Sequence, residues 1–314
     1  MREPIQDQEQ ALIAALAVLA ARDYRFTTIS PASHARVLER RAGELGRDLR
    51  DVLGWSLPFR PGTIDPELET LLKRAGALDG GEDCVRAAVR VSTLGDRLFV
   101  HAAYPTDASD SVFFGPDSYR FAAAIEAELA ARSLPAGAHI VDIGAGSGVG
   151  GIVAARAQAD ARVTLTDVNP HALSFARVNA AAAGVRVHTL LDDGLGSVEG
   201  PIDFAIANPP YIIDDCGRAY RDGGELLGGA IALEMAQLAA KRLSPGGRLL
   251  LYTGATIVQG RSPLVEALEH LADTSALRLE WRETDPDVFG EELANPAYRE
   301  AERIALVVAT LHRG

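Results

Sequence analysis

The sequence predicts an α/β fold: a mostly parallel sheet covered by helices on both faces, with an antiparallel hairpin at one edge and a small helical and β-ribbon module in front. Three observations carry this. From residue 138 onward, short apolar runs alternate with helical stretches, the pattern of repeated βαβ units. The last two apolar runs, 277–283 and 303–311, lack a clear helix between them, which suggests a hairpin at the sheet edge. The first 110 residues break this rhythm with helices followed by two strands around a tight turn.

In chain order, residues 6–22, 32–45 and 65–76 read as helices. Ser30-Pro31 and Asp65-Pro66 mark two of the starts, each a capping side chain ahead of a first-turn proline. Residues 84–93 and 97–103 read as strands joined at Leu94-Gly95-Asp96. Helices followed by a β-ribbon suggest a winged-helix-like module over 1–110, suited to substrate recognition or to dimerisation, so a homodimer is one expectation. A polar link, 104–111, leads to a helix over 116–132. The expected strands of the large unit, 111–314, are 138–143, 162–166, 186–190, 203–207, 247–253, 277–283 and 303–311. Helices are expected from 148 and over 170–183, 229–243 and 263–272.

The 314 residues are 47% hydrophobic, enough for a sizeable core. Residues 1–110 carry 14 Lys+Arg against 17 Asp+Glu, and 111–314 carry 17 against 26, which together make the net charge of −12. Neither part has the basic excess of a protein that grips nucleic acid by its phosphates. The arginines between Arg36 and Arg50 are interleaved with Glu39, Glu44 and Asp48 and read as a solvated helix face. Two cysteines, Cys84 and Cys216, point away from a disulfide framework and fit a reducing cytoplasm. The apolar run 11–21 follows Glu3, Asp7 and Glu9 rather than a basic segment, so it reads as a packed helix and not a signal peptide. No run reaches the length of a membrane span.

His139-Ile140-Val141-Asp142-Ile143-Gly144-Ala145-Gly146-Ser147-Gly148 is a strand running into a glycine turn and then a helix. Glycines there let the backbone turn tightly and approach a ligand. Gly146, Gly148 and Gly151 satisfy the dinucleotide pattern G-x-G-x-x-G; Gly144, Gly146 and Gly148 satisfy G-x-G-x-G. Asp167, followed by Val168 and Asn169, ends the next strand, where an acid binds ribose hydroxyls under either pattern. The region therefore indicates an adenosine cofactor and leaves two kinds open. Asp142 tips the balance, since a carboxylate two residues before the first glycine suits a ligand carrying an ammonium group. Asp193 and Gly194 follow the third strand, where an acid can accept from the adenine amine; its plainer use is as a turn cap.

Phe204-Ala205-Ile206-Ala207-Asn208-Pro209-Pro210-Tyr211 places Asn208 at the carboxyl end of a buried strand. The prolines remove backbone donors and stiffen the turn. The Asn208 side-chain oxygen and the Pro209 carbonyl can accept both hydrogens of a planar NH2 group, and Tyr211 offers a ring to stack on an amide or base. Such a nitrogen is a poor nucleophile because its lone pair is delocalised. Acceptors that favour charge build-up on it, with a methyl donor in line, lower the barrier without a strong base.

The chain here resembles the class I S-adenosylmethionine-dependent methyltransferases, and among them the HemK-like protein-glutamine methyltransferases and their methyltransferase small domain relatives. The resemblance covers residues 112–255 well and implies a Rossmann-like sheet with S-adenosylmethionine as cofactor. It implies Gly144, Ala145, Gly146 and Gly148 at the cofactor loop, Asp167 with Val168 and Asn169 on the ribose, and Asp193 with Gly194 at the adenine. It assigns Asn208, Pro209, Pro210 and Tyr211 to the acceptor nitrogen. The segment 112–118, with Phe113, Phe114 and Ser118, sits where such families carry a Pro-containing block closing over the cofactor. A shorter stretch, Leu71 to Leu78, resembles the helix end before the wing in natural-product methyltransferases. Two features depart from the HemK-like pattern: the N-terminal β-ribbon, which puts release-factor glutamine in doubt, and the loop after Tyr211, with Arg218, Tyr220 and Arg221, which is expected to line the acceptor pocket.

The acceptor stays open between a protein glutamine, an adenine in RNA or DNA, and a small natural product. The rivals from other classes are a nicotinamide-dependent oxidoreductase and a cofactor-binding protein without catalysis. The seven histidines show no metal-ligand spacing, and no phosphate-loop or serine-nucleophile motif appears. Trp55 and Trp281 read as core or contact residues.

Overall fold

The computed structural model describes residues 4–214 and 220–314; Cys216 and Arg218 lie outside the described residues. The chain opens with α1 (Pro4–Ala21), α2 (Pro31–Arg40), α3 (Leu49–Leu53) and α4 (Pro66–Arg74). The cap-proline pairs work as read: Ser30 Oγ accepts from the Ser33 N–H, and Asp65 accepts from Glu67 and Leu68. The five-residue α3, capped by Asp48, is too short to show a helical period in the sequence.

The expected strand 84–93 is two strands. β2 (Val85–Ala87) pairs with β1 (Leu78–Gly80), and β3 (Val89–Leu94) pairs with β4 (Arg97–Ala102). Ala88 is the crossing point, since its N–H donates to the Ala77 carbonyl while its own carbonyl accepts from Ala103. The alternation Val85, Ala87, Val89, Val91, all buried, runs unbroken through that switch, so the sequence pattern cannot show it.

The large unit contains α5 (Pro116–Ala131), β5 (His139–Ile143), α6 (Val149–Ala157), β6 (Arg162–Asp167), α7 (Pro170–Ala182), β7 (His188–Leu191) and β8 (Ile202–Ala207). These are followed by α8 (Ala230–Ala240), β9 (Leu243–Ile257), α9 (Pro263–Thr274), β10 (Leu277–Asp285) and β11 (Arg303–Arg313). The sheet order is β7-β6-β5-β8-β9-β11-β10. The strands from β5 to β9 are parallel to their neighbours, whereas β11 is antiparallel to both β9 and β10. The hairpin is therefore present, but the last strand inserts between β9 and β10 instead of extending the edge. The dinucleotide order 3-2-1-4-5-6 has no such inserted strand.

The apolar interior falls into three clusters. One draws on residues between Leu12 and Val100 and adds Val178 of α7. The other two fill the faces of the seven-stranded sheet, one beneath α5 and α6 and one beneath α8 and α9. The N-terminal elements are tied to α7 by polar contacts as well. Glu9 accepts from Ser174 at 2.9 Å and from Arg177 at 2.6 Å. The fully buried Asn179 side chain accepts from the Val100 N–H at 2.8 Å and donates to the carbonyls of Val100 and Ser147. No helix among the described residues is long and apolar enough to cross a membrane.

Candidate active site

Register brings the sequence motifs together. Ile143 pairs with both Thr166 and Ala207, and Asp167 pairs with Leu191. The residues just beyond these pairs are Gly144, Val168, Asp192 and Asn208, so the carboxyl ends of β5, β6, β7 and β8 lie side by side. The chain leaves β5 toward β6 on one side and reaches β8 on the other, which makes this edge the switch point where open α/β sheets bind ligands.

A cavity of about 910 Å³ opens there. Its lining includes Asp142, Gly144, Ala145, Gly146, Asp167, Val168, Asn169, Asp193, Gly194, Asn208, Pro209, Pro210 and Tyr211. Phe113, Ser118, Tyr220 and Arg221 line it as well. Two residues read as site members lie elsewhere. Phe114 is fully buried, stacked on His101 at 5.1 Å and edge-on to Tyr119, because the chain alternates direction between Phe113 and Phe114. Gly148 sits behind the loop as the start of α6, with φ +82° and Ala176 so close that an added Cβ would lie 3.0 Å from it.

The glycine loop is held by the two carboxylates it lies between. Asp142 Oδ2 accepts from the Gly151 N–H at 2.7 Å, tying β5 to the first turn of α6. Asp167 Oδ2 accepts from the Gly146 N–H at 2.8 Å, and Oδ1 from the Asn169 N–H at 2.8 Å. Gly146 has φ +54°, and an added Cβ there would meet nothing within 4 Å, so this backbone faces open cavity. Burial pushes the Asp142 carboxyl up to about 7 against the restraint of the Gly151 N–H, with nearby Asp167 adding to the rise; burial also raises Asp167. Each carboxylate keeps lone pairs beyond those used here.

At the third strand, Asp192 takes the capping work, accepting from the N–H groups of Gly194 and Gly196, while its exposed neighbour Asp193 lines the cavity. Val168 is 58% exposed beside Asp167, an apolar surface at the cavity wall. Asn169 caps α7 and donates from Nδ2 to the Asp110 carbonyl at 2.7 Å, drawing the link 104–111 across the site. Farther along, Tyr220 donates to the Thr106 carbonyl at 2.9 Å and stacks on Phe113 at 5.8 Å. Arg221 pairs with Glu292 and with Asp214.

These residues could hold S-adenosylmethionine: Asp142, Asp167 and Asp193 offer acceptors in one cavity, and the glycine backbone leaves room for close approach. The methyltransferase small domain model matches residues 123–272. A release factor glutamine methyltransferase from Cereibacter sphaeroides is 30% identical over 240 residues, covering 71% of this chain and 84% of that protein. The chain belongs to the HemK-like class I methyltransferases. Its cofactor is S-adenosylmethionine. A second release factor glutamine methyltransferase, from Deinococcus radiodurans, is 36% identical over 36% of this chain and 44% of that protein. A ribosomal RNA small subunit methyltransferase C from Pseudomonas entomophila is 31% identical over 30% of this chain and 32% of that protein.

Several residues of this methyltransferase site carried no sequence signal. Met235 of α8 and Phe289 line the cavity and belong to no motif, and Pro31, read only as a helix start, lines it as well. Tyr211 itself is less free than its sequence suggests. Its ring is 7% exposed, lies against Gly254 of β9 and meets Phe289 edge-on, and its hydroxyl donates to Asp117 at 2.6 Å.

Proposed function

We propose that this methyltransferase transfers the methyl group to a planar NH2 nitrogen, and that the acceptor is the side-chain amide of a glutamine in a protein. The observation that carries the reading is the juxtaposition of Gly144 and Asn208 one residue beyond a paired strand register, in one cavity. The cofactor supplies an electrophilic methyl. The chain supplies acceptors for the NH2 hydrogens, from Asn208 and the Pro209 carbonyl, and a rigid turn that orients the nitrogen toward the cofactor loop. The cavity also takes up a volume suited to a cofactor and a small acceptor group together.

A protein acceptor is favoured over RNA by two points. The similarity to a release factor glutamine methyltransferase spans most of both chains, whereas that to the ribosomal RNA enzyme spans about a third of each. The charged lining is also dominated by carboxylates, among them Asp110, Asp193, Asp222 and Glu234, while Arg221 is already paired. Phosphates are poorly matched to that wall. A cytoplasmic setting fits this reading, and light scattering on the purified chain tests the homodimer.

Asn208→Ala tests the acceptor role. It is expected to bind S-adenosylhomocysteine within about twofold of the parent in calorimetry while losing roughly 100-fold or more in turnover. Full turnover in that variant removes the assignment, and methyl incorporation into RNA but not protein replaces the acceptor.

A further inference from the structure

We infer that Asp117 is a positioning residue that acts through Tyr211 to hold the Asn208-Pro209-Pro210-Tyr211 turn in register with the cofactor loop. The inference rests on the reading of that turn as the acceptor site. Asp117 occupies the first turn of α5, yet its oxygens serve two other elements. Oδ2 accepts from the Tyr211 hydroxyl at 2.6 Å, and Oδ1 accepts from the Tyr252 hydroxyl of β9 at 3.3 Å. The local capping contact belongs to Ser118, whose Oγ accepts from the Gly115 N–H. Asp117 is 6% exposed, and Arg120 stands 3.8 Å from it while also reaching Asp285. A carboxylate buried this deeply is costly unless its hydrogen bonds are made, and burial does raise its pKa against both tyrosines.

The other contacts of Tyr211 show what the bond secures. An added Cβ on Gly254 would lie 2.2 Å from the Tyr211 ring. One on Gly223 would lie 2.7 Å from the Tyr211 Cα, and one on Gly228 would lie 2.4 Å from its carbonyl oxygen. Three glycines therefore give way so that Tyr211 can sit against β9 and the following loop. The ring is gripped on its face, the backbone on both sides, and the hydroxyl at its tip. Pro209 and Pro210 transmit that anchorage to Asn208, because each proline fixes its own φ and removes a degree of freedom from the turn. Asp117 lines the same cavity, so the anchor and the acceptor groups meet at one wall. In this inference Tyr211 serves the site as a strut.

The test uses the full chain with S-adenosylhomocysteine bound. Hydrogen exchange over residues 204–214 is compared between the parent, Tyr211→Phe, Asp117→Ala and Asp117→Asn. The first two variants are expected to exchange at least about tenfold faster at the hydrogen-bonded amides of Ile212 and Ile213, which follow the turn, with β5 and β6 unchanged. Asp117→Asn keeps an acceptor oxygen and stays near the parent, which guards against misfolding in the alanine variant. With a glutamine-bearing peptide, Tyr211→Phe and Asp117→Ala should each lower kcat by roughly ten- to a hundredfold, with KM for the cofactor little changed. The double variant should be no worse than the weaker single one, because the two groups act as a unit. Parent-like exchange in Tyr211→Phe, or losses that multiply in the double variant, would overturn the pairing. If the parent methylates no glutamine peptide, the acceptor reading falls, and the exchange data still decide whether Asp117 holds the turn.

Discussion

Asp142 combines a structural bond with a place in the cofactor cavity, and its protonation links the two. One oxygen takes the Gly151 N–H, while burial and the neighbouring Asp167 push its carboxyl up to about 7. An acid whose folded pKa lies above its unfolded value favours the folded state fully below the unfolded pKa. That contribution is lost as pH rises to the folded pKa, so Asp142 makes the free protein less stable from about pH 4 to about pH 7. An ammonium group brought near it reverses the preference and favours the ionised form. Calorimetric affinity for S-adenosylhomocysteine is therefore expected to strengthen between pH 5.5 and 8, with proton release near pH 7, and Asp142→Asn should flatten the profile. A pH-independent affinity in the parent would place the cofactor ammonium elsewhere. This carboxylate was legible in the sequence through its spacing from Gly144. Its tie to Gly151 was not, because the bond spans from strand to helix.

The α6 start shows how a single element separates stability from binding. Gly151 lies where an added Cβ would meet Leu165 at 2.1 Å, so it sets the distance between α6 and β6. Gly146 faces the cavity and carries φ +54°. Gly151→Val is expected to cost about 1–3 kcal/mol through overpacking, seen as a lowered Tm with the cofactor absent. Gly146→Ala carries a cost of roughly 1–2 kcal/mol from its left-handed backbone, but its main effect should be on S-adenosylhomocysteine affinity, since the methyl points into open cavity. Equal effects of both substitutions on stability and on binding would contradict this division. The same glycines explain why the loop read as two motifs at once: Gly151 meets the packing requirement of a dinucleotide loop, although the chain uses it under a different sheet order. The start of α5 carries a similar ambiguity, since Pro116-Asp117 looks like an ordinary helix start and its partners lie far along the chain.

Across the whole molecule, Asn179 joins the N-terminal elements to the catalytic sheet. Its side chain bonds both backbone groups of Val100 in β4 and the Ser147 carbonyl of the glycine loop. Asn179→Ala leaves these buried groups without their partner and is expected to cost about 2–4 kcal/mol. A thermal melt should fall by several degrees, and cofactor affinity should fall with it because Ser147 belongs to the loop. Loss of stability with unchanged affinity would mean that the module and the loop are not coupled through this residue. The segment 104–111 supports the same coupling, tied to Asn169 through the Asp110 carbonyl and to Tyr220 through Thr106.

The sequence by itself determined the parts whose chemistry is contiguous. A strand running into glycines, an acid at the next strand end and Asn208-Pro209-Pro210-Tyr211 after a buried strand are each local, and parallel pairing brings strand ends together without further instruction. Tertiary structure alone decided the partners of those parts. Asp117 and Tyr211 stand 94 residues apart, and they meet because α5 and β9 pack beside the turn. The insertion of β11 between β9 and β10 and the change of partner at Ala88 left the apolar pattern unchanged, since alternation records which face is buried and not which strand lies alongside. Phe113 and Phe114 differ for a related reason: adjacent residues point to opposite sides, and the surrounding packing settles which side is cavity and which is core.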